Sequence, residues 1–180
     1  MNNLKKIQSL ISRRITLLGA GPMSKFSINA IIELSGFYNL SIAMIPSRRQ
    51  IECRELGGGY VENWSTEEFV QYVRFNDKGK NILLSRDHCG PWQLEQLNKD
   101  GLHNTLEDEM KLVKISLEAD IESGFDLIHL DPSLGFKFGL NISISYSNGI
   151  FTFTEGTCNS SKGILLTFSL FKIEDKTTPK

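Results

Sequence analysis

Asp87, His88 and Cys89 stand together in Ser85-Arg86-Asp87-His88-Cys89-Gly90-Pro91-Trp92-Gln93, directly after the apolar run Ile82-Leu83-Leu84. An acid, an imidazole and a thiol thus fall where a buried strand runs out into a Gly-Pro turn. In a parallel α/β fold, that end of a strand is where ligands bind. One reading makes Asp87 a general base and His88 a metal ligand. The other makes Asp87 a turn cap and His88 a hydrogen-bonded residue at the sheet edge. A second segment of the same build follows, Phe125-Asp126-Leu127-Ile128-His129-Leu130-Asp131-Pro132-Ser133. His129 and Asp131 are two residues apart, so on a strand they share one face. They are either a second corner of the same site or a hydrogen-bonded pair in a polar core layer.

The other reactive residues have two readings each. Cys89 is a nucleophile beside His88 or a plain buried thiol; adjacent strand residues face opposite ways, which favours the thiol. Gly57-Gly58-Gly59 offers backbone amides to a phosphate, but without the Lys-Ser/Thr of a P-loop it also fits an irregular loop. Arg48 and Arg49 follow a strand end and suit either a sugar phosphate or surface salt bridges. Trp92 can stack on a sugar ring or pack inward.

Positioning these residues requires alternating helices and strands. Leu4, Ile7, Leu10 and Ile11 lie on one helical face, and Ile15 to Ala20 is a short strand closed by Gly21-Pro22. Ser24 is an N-cap for a helix whose Phe26, Ile28, Ile31, Ile32 and Leu34 would pack on a sheet, with Gly36 as its stop. Leu40 to Ile45 reads as the next strand. Ser65 or Thr66 caps a helix with Glu67-Glu68 in its first turn and Phe69, Val70, Tyr72 and Val73 on its apolar face. Thr105 caps a fourth, with Leu112, Val113, Ile115, Leu117, Ala119 and Ile121 as buried positions and Gly124 as its end. Leu127 to Leu130 is the strand that carries His129.

Beyond Leu140 the chain changes character. From Asn141 to Phe171 the only charges are Glu155 and Lys162. Ile142 to Ser147 alternates apolar and polar residues, Asn148-Gly149 signals a type I′ turn, and Ile150 to Thr154 returns as the second arm of a hairpin. Ile164 to Phe171 is a candidate third strand. The expected organisation is a half-barrel βα domain over 1–140 and a β-hairpin-like tail over 141–180.

A chain of 180 residues fits one domain of this size. A net charge of −1 gives no pull toward nucleic acid or acidic membranes, and no apolar run reaches the ~20 residues of a membrane span. Three widely spaced cysteines make no disulfide framework and no metal-binding pair. The N-terminus lacks the apolar core of a secretory leader. The expected compartment is the reducing cytoplasm.

Taken together, the Arg86-Asp87-His88-Cys89-Gly90-Pro91-Trp92 segment resembles the D-H-x-G-P segment of tagatose-bisphosphate aldolase subunits of class II type, in particular the non-catalytic subunit. Gly57-Gly58-Gly59-Tyr60 with Trp64-Ser65-Thr66-Glu67-Glu68-Phe69 is similar to that family's G-G-Y turn and following helix. Ile128-His129-Leu130-Asp131-Pro132-Ser133 is similar to its I-H-L-D-x-S strand. The three agree in order and spacing over about residues 15–140.

The resemblance implies an α/β fold, a partial (β/α)8 TIM-type barrel of about four βα units with a divergent β-rich C-terminal tail. An open doubly wound sheet is the competing architecture. The resemblance further implies a role in sugar-phosphate metabolism, with Asp87 as the proton-handling acid, His88 as a zinc ligand and His129 as a further candidate ligand. Arg48, Arg49, Gly58, Gly59, Asp131 and Ser133 would hold the sugar phosphate. Zinc would polarise a ketose carbonyl in an aldolase, but the later strands that complete the zinc site are missing, so the chain reads as truncated. The implied partners are a catalytic aldolase subunit or a second copy of the chain. Two further readings are a zinc-dependent ketose-bisphosphate aldolase acting through Asp87 and His88, and a small sugar-binding α/β module. Some members of the family carry a tagatose-6-phosphate kinase label, yet no nucleotide-binding motif is present.

Overall fold

The computed structural model describes residues 3–94, 104–131, 142–147, 150–155 and 168–171. Within these, helix α1 (Asn3–Ser12) precedes strand β1 (Leu18–Ala20), α2 (Lys25–Tyr38), β2 (Ile42–Met44), α3 (Thr66–Asn76), β3 (Ile82–Cys89), α4 (Leu106–Ser123) and β4 (Leu127–Leu130). Three further strands follow: β5 (Ile142–Ser147), β6 (Ile150–Glu155) and β7 (Phe168–Phe171). Strands β1 to β4 are parallel and lie side by side in chain order. A doubly wound sheet reverses its strand order partway, and no reversal occurs here. Right-handed crossovers between consecutive parallel neighbours put α2, α3 and α4 on one face of the sheet, where α3 packs against both of the others.

The core follows from strand alternation. Ile42, Met44, Ile82 and Leu84 point to the helix layer and pack with Ile28, Ile32, Phe69, Val70 and Val73. Ile128, Leu130 and Cys89 do the same against Val113 and Leu117 of α4. The opposite face therefore carries Leu83, Ser85 and Asp87 on β3, with Leu127 and His129 on β4. Sheet order and helix placement make this a mixed α/β fold built on a four-stranded parallel sheet.

Local signals account for most element ends. Ser65 and Glu68 form a reciprocal capping box at the start of α3, and Ser24 and Ser27 do the same for α2. Thr105 caps α4, and Gly124 ends it in a left-handed conformation. Gly36, expected as the stop of α2, lies inside the helix. The chain turns instead at Asn39, whose φ of 50° is one that asparagine tolerates.

Strand β3 also exceeds its expected length. It continues through Asp87 and His88 to Cys89, so these residues belong to the strand and not to a turn after it. Strands β5 and β6 form the expected antiparallel hairpin as a separate two-stranded sheet. β7 does not extend that hairpin; it pairs antiparallel with β4. Among the described residues no helix is long and apolar enough to cross a membrane.

Candidate functional site

The C-terminal ends of β3 and β4 bring four polar side chains together. Register runs Arg86 to Ile128 and then Cys89 to Leu130, so β3 spends three steps where β4 spends two. The extra residue is a bulge at Asp87-His88, and His88 takes a φ of 49° to make it. A bulge re-aims side chains at a strand end. Here Cys89 returns to the helix side, while His88 joins Asp87 on the face of His129 and Asp131.

The result is two crossed acid–imidazole pairs. His129 Nδ1 of β4 donates to Asp87 Oδ1 of β3 at 3.0 Å, and His88 Nδ1 of β3 meets Asp131 Oδ2 at 2.5 Å. The two rings lie 5.8 Å apart. With His88 Nδ1 turned to Asp131, its Nε2 faces Asp87, the arrangement that orients a metal-binding histidine. His88 Nε2 sits 3.6 Å from Asp87 Oδ2, too far for a hydrogen bond and close to the separation of two donors on one metal ion. One donor atom each from Asp87, His88 and His129 lies within 4.8 Å of the others.

Electrostatics follow the pairing. The hydrogen bond from His129 holds the Asp87 carboxyl below the usual range, against the pull of partial burial. The same bond raises His129 above its ordinary value, again against desolvation. The depressed Asp87 contributes stability that is full above its unfolded pKa, near ~4, and is lost as pH falls through its folded value. The raised His129 contributes stability that is full below about 6.5 and is lost as pH rises through its folded value. The metal-free chain should therefore gain most from the pair between about pH 4 and 6.5. Thermal melts across pH should show this hump in wild type minus Asp87→Asn; a flat difference would contradict the pairing.

A second layer fixes this corner. Gln93 Nε2 donates to Asp131 Oδ2 at 3.1 Å, the same oxygen that meets His88. Asp131, expected to hold a sugar phosphate, is nearly buried and engaged with these two side chains. Arg49, exposed on the surface, donates to the Gln93 carbonyl at 3.2 Å. Trp92 is buried in a left-handed conformation; its backbone N–H donates to Glu109 and its indole N–H to the Asn104 carbonyl. Trp92 thus packs beneath the turn and presents no face to a sugar.

Several candidate residues occupy other places than their types suggested. Arg48 is wholly buried, and its guanidinium donates to Glu52, Ser116 and the Gly90 carbonyl. It braces the turn after β3 from below, out of a ligand's reach. Gly57, Gly58 and Gly59 donate their amides to Arg54, Cys53 and Trp64 carbonyls, so the loop is closed on itself and holds no phosphate cradle. Gly59 is required for a different reason: a Cβ there would run into the Gln50 carbonyl. Cys89 is fully buried, and burial pushes its thiol up to about 12, which keeps it protonated and inert. Ser133 lies outside the described residues.

Gln93 and the buried ionic residues under the site had no signal of their own in the chain. Glu109, Ser116 and Asp120 lie on the core-facing side of α4 with Val113 and Leu117. Ile121, expected there, is exposed. Arg86 explains the acid: it forks onto both Asp120 oxygens at 2.7 and 2.5 Å and donates to the Ile51 carbonyl at 2.6 Å.

No protein-family model matches the chain, and no curated protein matches it significantly. A solved structure that does match is a probable tagatose 6-phosphate kinase from Sinorhizobium meliloti 1021, at 20% identity and a TM-score of 0.50. The alignment covers 65% of this chain and 29% of that one. The likeness shows the fold alone. This chain spans less than a third of that protein's length.

Proposed function

We propose that the chain belongs to sugar-phosphate metabolism, as a segment of a (β/α)8-type barrel whose β3–β4 corner holds a divalent cation, zinc foremost, beside a phosphorylated sugar. The crossed pairs Asp87–His129 and His88–Asp131 carry this reading. Two imidazoles and a carboxylate are a donor set that zinc accepts, and three protein ligands leave a position open. Donors on one tetrahedral zinc stand about 3.3 Å apart, so a cluster already within 4.8 Å needs only a small contraction. The residues fit such an ion: Asp87, His88 and His129 would hold it, His129 exchanging its hydrogen bond to Asp87 for the metal, and Asp131 would orient His88. A bound zinc supplies Lewis-acid polarisation of a carbonyl or phosphoryl oxygen. Arg49, exposed beyond Gln93, would be the residue to meet a phosphate on this reading.

The neighbour described as a tagatose 6-phosphate kinase and the resemblance to tagatose-bisphosphate aldolase subunits both point to phosphorylated hexoses as the ligand class. Kinase chemistry has no support in the loop at Gly57–Gly59, whose amides are spent internally. One observation favours a non-enzymatic subunit of an aldolase over an enzyme complete in itself. Arg48, Gly58 and Gly59 are all engaged inside the protein, leaving few groups among the described residues for substrate.

Zinc titration of the folded chain tests the reading. One ion per chain is expected, with Asp131→Ala weakening it by about 10- to 100-fold through loss of the orienting carboxylate. Aldol cleavage is expected only after addition of a catalytic aldolase subunit. Cleavage by the chain alone would make it an aldolase, and no zinc uptake by folded protein would sink the metal site.

A further inference from the structure

Helix α2 has an apolar stripe on its outer side. Its core face is Ile28, Ile32 and Ser35. Diametrically opposite, at 100° per residue, stand Phe26, Ala30, Glu33 and Phe37, with Leu34 and Tyr38 on one flank. Phe26 and Phe37 are 85% and 82% exposed, and Tyr38 is 61% exposed. Phe26 and Leu34, whose types suggest packing on the sheet, face away from it. A missing barrel neighbour does not account for residues pointing directly outward from the sheet. Contiguous exposed apolar surface of this kind marks an interaction site.

We infer that this stripe is the interface of a two-fold dimer, in which α2 packs antiparallel on α2 of a second copy. The spacing 26-30-33-37 reads the same in both directions, as an isologous interface requires. An antiparallel copy places Phe26 against the partner's Phe37 and Ala30 against the partner's Glu33. The alanine leaves room for the glutamate stem, whose carboxylate reaches the rim.

Charge fits the same occupant. Between Ile15 and Ile45 the only charged residues are Lys25 and Glu33, and Lys25 turns its ammonium over the Tyr72 ring. The stripe thus has no run of charge for an oppositely charged partner to match.

Area fits as well. Three aromatic rings of about 200 Å² each, at these exposures, offer roughly 450 Å². Leu34 on the flank, half exposed, adds roughly 80 Å². The sum, roughly 530 Å² per partner, puts the two-fold interface at about 1,000 Å² in all, the size at which a specific interface begins.

Sedimentation velocity and oxidative crosslinking test the dimer. The wild-type chain should sediment as two copies. Phe26→Ser with Phe37→Ser should sediment as one, with unchanged circular dichroism because neither side chain is in the core, and should lose the concentration dependence of melting that a dimer confers. Both measurements then continue in a Cys158→Ser background. Phe26→Cys mixed with Phe37→Cys should give the mixed disulfide, and Phe26→Cys alone should give none. A monomeric wild type, an assembly that survives the double serine variant, or a disulfide-linked dimer of Phe26→Cys with itself would each overturn the proposal. So would a monomer that uses the stripe to bind lipid vesicles.

Discussion

Replacing Arg86 with alanine should cost about 3–5 kcal/mol of stability, the penalty for leaving one partner of a buried ion pair alone. Arg86 has no exposed surface, and neither has Asp120. Its fork onto Asp120 is supplemented by bonds to the Ile51 and Ser47 carbonyls and to Thr66, while its guanidinium lies 4.9 Å from the Phe125 ring centre. One side chain thus ties β3 to α4, to the long connection after β2, and to the start of α3. Burial alone would push the guanidinium toward neutrality, but the Asp120 carboxylate outweighs it and holds the charge. Arg86→Ala leaves Asp120 buried without its counter-charge and several carbonyls without their donor. Arg86→Lys should recover little, since an ammonium cannot reproduce the fork. Arg86→Met with Asp120→Leu should recover most of the loss, because a matched apolar pair removes the desolvation cost at both ends. Urea denaturation of the four proteins measures this. A loss under about 1 kcal/mol for Arg86→Ala, the range of a surface pair, would contradict it.

Gly90→Ala should be the second severe change, and it acts on the site as well as on the fold. A Cβ at this position would stand far inside contact distance of the Asp131 carbonyl, a backbone atom that no rotamer change can move aside. The Asp131 amide meanwhile donates to the Cys89 carbonyl at 3.1 Å. The strand ends must part for the methyl group to fit. Overpacking commonly costs ~1–3 kcal/mol, and a clash with backbone belongs at or above the top of that range. Because Asp131 meets His88, any folded fraction should, on the proposed metal site, also bind zinc more weakly. A Gly90→Ala protein with wild-type melting and wild-type zinc uptake would show that the β3–β4 corner is looser than this geometry allows.

Both residues also mark how far the chain could be read before its fold was known. The placement of His129 and Asp131 on one side of the chain was legible from period-two alternation, but their partners were not: each pairs with a residue of β3 and not with the other. The grouping of Asp87, His88 and Cys89 was legible as a cluster, but their directions were not. A one-residue bulge decides that His88 faces the site, and bulges leave no reliable trace in hydrophobic patterning. A parallel sheet covered by helices was legible from the regular βα spacing; its strand order was not, because a doubly wound sheet has the same spacing. The buried face of α4 was not, because Glu109, Ser116 and Asp120 break the apolar pattern. Their partners are Trp92, Arg48 and Arg86, brought in from 17, 68 and 34 residues away. Pairing at such distances is settled by tertiary structure, and it turned the expected phosphate-binding Arg48 into a buried brace. In α2 the opposite occurred: apolar residues lie on the outer side, and composition alone could not separate core from interface.

On the proposed reading, the crossed Asp87–His129 and His88–Asp131 pairs hold a divalent cation at the β3–β4 corner. Cobalt(II) titration of the folded chain, followed by visible absorption, tests it most directly because cobalt reports its coordination as zinc does not. Saturation at one ion per chain is expected, with the intense bands of a low-coordinate site, lost in His88→Ala protein that still folds. Absence of those bands in the wild type, or their persistence in His88→Ala, would contradict it.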